Sequence, residues 1–194
     1  IKEHKRNFKQ KSMKNLVLLV LVTIMLFSCN NNKPDLYLTT TGAYASKTGG
    51  FIAAFPSKPT ITVQENVLGD QKFNNYLFQK MVATNSLFTV AYLDYPLNVL
   101  DNWGNKNALF EQMVLSMAKS VDNFNIIKKE PISSNNIQGL YFEIGSMVHN
   151  GFGKGKVLLR GNRLYIAMFV GVGKLPSDEQ IDKFVNGFKL TNVE

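Results

Sequence analysis

The sequence predicts an α+β fold, a mostly antiparallel β-sheet flanked by two helices. Three observations carry that expectation. Strand-like runs outnumber helical ones. Two stretches, from about Asn107 to Val121 and from Ser177 to Gly187, repeat apolar residues at three- and four-residue spacing. The strand-like runs are joined by connections of hairpin length, which suit antiparallel neighbours.

The first 12 residues, IKEHKRNFKQKS, read as sequence upstream of a natural start at Met13 or as an extended basic region. Lys14 then precedes Leu16 to Phe27, a run in which only Thr23 is polar. A helix needs roughly 20 residues to span a bilayer core, so this run suits the apolar centre of an export signal instead. It ends in Leu26-Phe27-Ser28-Cys29. These residues resemble the lipobox of bacterial lipoproteins, with Leu three before the cysteine and a small residue just before it. The resemblance implies that Leu26 and Ser28 belong to the recognised signal, that the chain is cut ahead of Cys29, and that Cys29 is acylated. Several acyl chains, each giving about 0.8 kcal/mol per buried methylene, make a stable anchor. The expected organisation is a signal over 13–28, a lipidated tether over 29–50, and one globular domain over 51–194.

Within the tether, Asn30 to Asp35 is polar and interrupted by Pro34, Leu36 to Leu38 can begin a strand, and Thr39 to Gly50 reads as loop. Phe51 to Phe55, closed by Pro56, and Thr60 to Val63 fit strands. Tyr76 to Ala83 and Leu87 to Tyr95 form a hairpin about Thr84-Asn85-Ser86. Both sides of the second strand are largely apolar, the mark of a central strand covered on both faces. Phe110, Met113, Val114, Met117, Ala118 and Val121 make one helix face, with Asn107 as its N-cap. Phe124 to Ile132 and Ile137 to Val148 are strands. Asn150 to Gly155 reads as a flexible hairpin tip, Lys156 to Arg160 returns, Gly161-Asn162 turns, and Leu164 to Val172 is the most apolar strand. Ser177 with Gln180 forms a capping box for a closing helix buried through Ile181, Phe184 and Val185, with Gly187 as its stop.

Composition narrows the function classes. The formal charge is +8, but residues 1–28 hold six Lys/Arg against one acid, and residues 29–194 hold 16 against 13. Most of the positive excess therefore leaves with the signal, and the body gives little reason to expect nucleic acid as a partner. Cys29 is the only cysteine and His149 the only histidine after it, so neither a disulfide nor a Cys/His metal site is expected.

Several patterns invite a catalytic reading. Ser116-Met117-Ala118-Lys119 and Lys47-Thr48-Gly49 match two marks of penicillin-interacting serine enzymes, but their order is reversed and the serine lies late in its helix. Gly151 to Lys156 superficially resembles a phosphate loop, yet it runs strand to strand and lacks the Lys-Ser/Thr pair. His149 stands at a hairpin tip, six residues beyond Glu143. Tyr92, Tyr95 and Trp103 could line a ligand patch beside the first helix, against the usual packing role of aromatics.

A wider resemblance rests on Gly50-Phe51 leading to Phe55-Pro56, on Arg163-Leu164-Tyr165-Ile166 after the Gly161-Asn162 turn, and on the ending from Phe184 to Leu190. These segments resemble the PsbP-like fold family, which includes DcrB-like lipoproteins, over roughly Leu36 to Leu190. The resemblance implies an antiparallel sheet flanked by helices and a non-enzymatic binding or accessory role without a cofactor. The expected setting is the bacterial envelope, with the chain held in the outer membrane through Cys29, facing the periplasm beside an envelope protein partner. The alternative is a hydrolase of envelope polymers using Glu143 or Asp94 as a base.

Overall fold

The two runs expected to be most buried lie side by side at the centre of a seven-stranded sheet. The computed structural model describes residues 33–68, 71–82, 85–96, 104–121, 123–134 and 136–191. Leu26, Ser28, Cys29 and the rest of the expected signal, together with Trp103, lie outside the described residues. The strands are β1 (Tyr37–Leu38), β2 (Tyr44–Ser46), β3 (Phe51–Ala53), β4 (Thr60–Leu68), β5 (Gln71–Val82), β6 (Ser86–Asp94), β7 (Asn125–Ser134), β8 (Ile137–Ser146), β9 (Gly151–Arg160), β10 (Arg163–Val172) and β11 (Lys189–Leu190). Helix α1 (Lys106–Ser120) follows β6, and α2 (Asp178–Gly187) follows β10. The large sheet has the order β4-β5-β6-β10-β9-β8-β7 and a small sheet the order β1-β2-β3-β11. Every pairing is antiparallel. The α+β expectation therefore holds, with the sheet dominant.

Central strand β6 is buried on both faces, as its two-sided apolar pattern requires. Ala91 and Leu93 join Leu164 and Ile166 of β10 under α1, while Phe88, Val90 and Tyr92 join Tyr165, Ala167 and Phe169 on the opposite side. Helix α1 covers the first face with Phe110, Met113, Val114, Met117 and Ala118 of the stripe read from its spacing, joined by Leu109, while Val121 is the C-cap and packs partly buried against the cluster. Each large side chain so buried contributes about 1.5–3 kcal/mol. Helix α2 and the small sheet cover the second face with an aromatic layer. Phe51 meets Phe78 edge-on at 4.9 Å, Phe55 meets Phe184 at 5.0 Å, and Phe88 lies between Phe169 and Phe184 at 4.9 and 5.1 Å.

Arg163 locks the two sheets together. Its Nε and Nη2 donate to the two oxygens of Asp94, each at 2.7 Å, and its Nη1 donates to the Thr48 carbonyl at 2.6 Å. The guanidinium also lies 4.8 Å over the Tyr92 ring. A bidentate pair reinforced in this way fixes geometry more firmly than a single surface contact.

The structure departs from the sequence expectations in four places. Helix α1 starts at Lys106, and its cap is Asn105, whose Oδ1 accepts from the Asn107 and Ala108 N–H groups at 3.0 and 3.4 Å. Gly104, at φ +45°, turns the chain into that cap. The folded part begins before Phe51, because β1 and β2 build the small sheet from a stretch read as tether and loop. Asp35 starts it, accepting from Ser46 Oγ and from the Lys47 and Thr48 N–H groups at 2.8–3.1 Å. Strands β4 and β5 also run past Val63 and start ahead of Tyr76.

The fourth departure is Gly151 to Gly155, which is strand rather than flexible tip; the turn lies earlier, at Met147 to Asn150. The glycines face α1 and leave room for side chains of β8. A Cβ on Gly155 would meet the Ala167 carbonyl and Met168 at 2.7 Å and Phe142 at 2.8 Å. One on Gly153 would meet Ile144 at 2.8 Å.

Gly155→Val tests this packing. Overfilling the site is expected to lower the urea-unfolding free energy by about 1–3 kcal/mol. A neutral or stabilising result would mean that Phe142 does not need the space.

Candidate functional site

Register across the large sheet explains why one part of it is chemically different. On the α2 side, the row Glu130–Tyr141–Lys156–Ala167–Val90–Phe78 crosses from β7 to β5. The next row is Lys128–Glu143–Lys154–Phe169–Phe88. Both rows are apolar where α2 and the small sheet cover them, and they become charged from β9 outward. Successive residues alternate faces, so Lys154 and Lys156 lie on the α2 side while Gly153 and Gly155 serve the α1 core. The outcome is a charged trough beside α2, floored by β9, β8 and the edge strand β7.

The charges in the trough are almost all paired. Lys154 Nζ donates to Asp182 of α2, the Tyr141 hydroxyl donates to Glu143, and Lys128 Nζ lies 2.9 Å from Glu130. Lys128 and Lys154 also stand over the Tyr141 ring, 5.5 and 5.9 Å from its centre. Arg160 donates to the Thr191 carbonyl at 2.7 Å and to the Tyr165 hydroxyl at 3.3 Å. Burial, followed by the bond to Glu143, pushes the Tyr141 hydroxyl well above its usual range, so it remains a donor at neutral pH.

Lys156 is the exception. It is half-buried, and its ammonium has no hydrogen bond or ion pair among the described residues. Burial lowers its pKa from the usual 10.5, because an ammonium without its water shell loses stabilisation. Tyr141 is its cross-strand partner on β8, and Leu158 is the next residue of β9 on the same face. A Cβ on Gly139 would run into the Val157 carbonyl and meet Leu158 at 2.8 Å, so the Leu158 side chain fills the space over that glycine.

The residues singled out from sequence fall elsewhere. Tyr92 and Tyr95 are both buried but lie in different clusters, Tyr92 in the aromatic layer stacked on Tyr76 at 4.7 Å and Tyr95 on the α1 side beside Phe73. Trp103 lies outside the described residues, as does Cys29. His149 is exposed at the β8–β9 turn, where Asn123 contacts its Nε2 at 3.1 Å. Ser116 is in the body of α1 and Lys47 in the small-sheet turn, so the two enzyme-like motifs do not form one constellation. Asp94 has both oxygens engaged by Arg163, and Glu143 accepts from Tyr141. Sequence reasoning missed the trough because its members come from β7, β8, β9 and α2. One local signal was available, namely the alternation of Gly with Lys over Gly153 to Lys156, which a two-faced strand with one packed and one polar side produces.

A separate depression of about 690 Å³ lies at the start of α1, lined by Gly104 to Asn107, Pro131, Ile132, Ser133 and Gln138. Its only charged lining residue among those described is Lys106. Among the described residues, no group of three or more His, Cys, Asp or Glu is placed to hold a metal ion, and no helix is long and apolar enough to cross a membrane. In comparison with known proteins, the chain matches no family model and no curated protein.

Lys156→Met removes a partly desolvated charge and keeps the stem. The group's folded pKa lies below its unfolded value, so its penalty is fully present below the folded pKa and fades as pH rises toward 10.5. The variant is therefore expected to melt above the wild type at pH 7, with the advantage shrinking toward pH 10. An unchanged or lower Tm at pH 7 would show that the ammonium is satisfied in the folded chain.

Proposed function

We propose that the chain is a lipid-anchored lipoprotein of the bacterial envelope, in the outer membrane facing the periplasm, whose PsbP-like body is a non-catalytic binding module. The observation that carries this reading is Leu26-Phe27-Ser28-Cys29 at the end of a short apolar run, with the only thiol in the chain at the position where acylation needs it. The tether is short. Asp35 is clamped to the small sheet six residues after Cys29, so the body lies within roughly 20 Å of the anchor. The clamped end carries Thr48, Arg163 and Asp94, and the exposed Met147 and Val148 are at the other end of the sheet.

Two structural features support the body's role. The three segments that carry the PsbP-like resemblance converge, with Phe51, Phe55, Tyr165, Phe184 and Phe188 in one aromatic cluster. The trough offers an open floor of mixed apolar and charged groups, the composition of a binding surface. A hydrolase with Asp94 or Glu143 as base is less well supported, since both carboxylates are held by neighbours, Asp94 through both of its oxygens.

Mass spectrometry of the mature N-terminus from the native envelope tests the anchor. Acylated Cys29 is expected as the first residue, and Cys29→Ala is expected to leave the membrane fraction. An unmodified Cys29 in a membrane-bound chain would overturn the reading.

A further inference from the structure

We infer that the outer face of the small sheet is a docking surface for the lipid bilayer that holds Cys29, and that it takes anionic headgroups. The inference rests on the reading of Cys29 as a lipid anchor, and it names the face of the body that meets the membrane.

Register separates the two faces of the small sheet. Phe51 and Ala53 of β3 are buried in the aromatic cluster. Successive residues of a strand alternate faces, so Ile52 points away from that cluster, and its row across the sheet is Tyr37–Ala45–Ile52–Lys189. The small Ala45 is buried, Ile52 is partly exposed, and Tyr37 and Lys189 at the two ends of the row are exposed. Tyr37 and its neighbour Leu38 form the edge strand β1 and are 45% and 61% exposed. Large side chains of this kind on an edge strand gain little by facing water.

Charge here is one-sided. Lys33, Lys47 and Lys189 are exposed, and none of their ammonium groups has a hydrogen bond or ion pair among the described residues. The nearby acids are already engaged, Asp35 by Ser46 and the Lys47 and Thr48 N–H groups, and Asp94 by Arg163. A tyrosine and a leucine among unpaired lysines suit a membrane interface, where the ring sits at headgroup level and the ammonium groups meet anionic lipid. Chain length selects the bilayer as the occupant. Lys33 is four residues after Cys29 and so within roughly 14 Å of it, and Asp35 clamps the chain to the small sheet two residues later. The short tether holds this face beside the bilayer at high local concentration, which turns weak contacts into a fixed orientation. The exposed Met147 and Val148 lie at the opposite end of β8, about 30 Å along the strand.

The test couples the mature chain, from Cys29 onward, to a maleimide lipid in nanodiscs of mixed phosphatidylglycerol and phosphatidylcholine. Cys29 is the only thiol, so the tether forms there whatever the native chemistry of that residue. A spin label on the lipid headgroups then broadens the amide NMR signals of residues that approach it. Enhancement of relaxation at Tyr37, Leu38 and Lys189 is expected to exceed that at Met147 and Val148 at least tenfold. Lys47→Gln/Lys189→Gln is expected to lower the ratio of docked to free body about 25-fold, at about fivefold for each lysine near an anionic surface. Both sites are exposed, and unchanged signal dispersion would show that the variant is folded. Discs of phosphatidylcholine alone are expected to weaken docking of the wild type in the same way. Equal broadening at the two ends of the body, broadening centred on Met147 and Val148, or equal docking on charged and uncharged discs would overturn the inference. Because the maleimide supplies the tether, a failed docking pattern overturns this face alone, and an unmodified Cys29 in the native envelope overturns the anchor alone.

Discussion

The pairing of β6 with β10 is the constraint from which the rest of the structure follows. Both strands are apolar on both faces, and a sheet centre of that kind is stable only when each face is covered. Helix α1 supplies one cover. The other is assembled from distant parts of the chain: β1 to β3 near its start, and α2 with β11 at its end. This explains why the small sheet joins β3 to β11 and why Arg163 at the start of β10 reaches to Thr48. Cover on the α2 side reaches only as far as the aromatic layer. The outer part, over β9, β8 and β7, carries charge instead of aromatic surface, and the trough is what that incomplete cover leaves.

The features legible in the sequence were those set by local period. The α1 stripe, the two-faced character of β6, the Ser177 cap of α2 and the Gly161-Asn162 turn all depend on residues a few positions apart, and all appear in the structure. The errors arose where a local rule had two readings. Asn105 and Asn107 are equally able caps, and only Gly104 ahead of Asn105 decides between them. The glycines from Gly151 to Gly155 look like a loop until Phe142 and Ile144 are seen to occupy the space they vacate. The pairs Lys154–Asp182 and Tyr141–Lys156 join residues 28 and 15 positions apart, and no single-strand pattern specifies them.

Three side chains in the core stand against simple packing. Asn75 is fully buried with neither amide atom hydrogen-bonded among the described residues, and the buried Ser86 and Tyr92 hydroxyls also lack a partner among them. Each such group typically costs about 1–3 kcal/mol when left unsatisfied. Asn75 lies among buried side chains on the α1 side, and the structure gives no physical reason for it. Lys156 differs because it is only half-buried and lies on the open side of the sheet.

The edge strand β7 bounds the trough and is protected against further strand pairing by Pro131, by Lys128, Lys129 and Glu130, and by a register shift between Ile126 and Lys128. What remains available there is the side-chain surface of the α2 face. Amine-labelling mass spectrometry, comparing the protein in intact cells with the purified chain, tests most directly whether that surface is used. The account predicts that Lys128, Lys154 and Lys156 are labelled less in the cell while exposed Lys58 and Lys174 are labelled equally in both. Equal labelling of all five lysines in the two settings would contradict it.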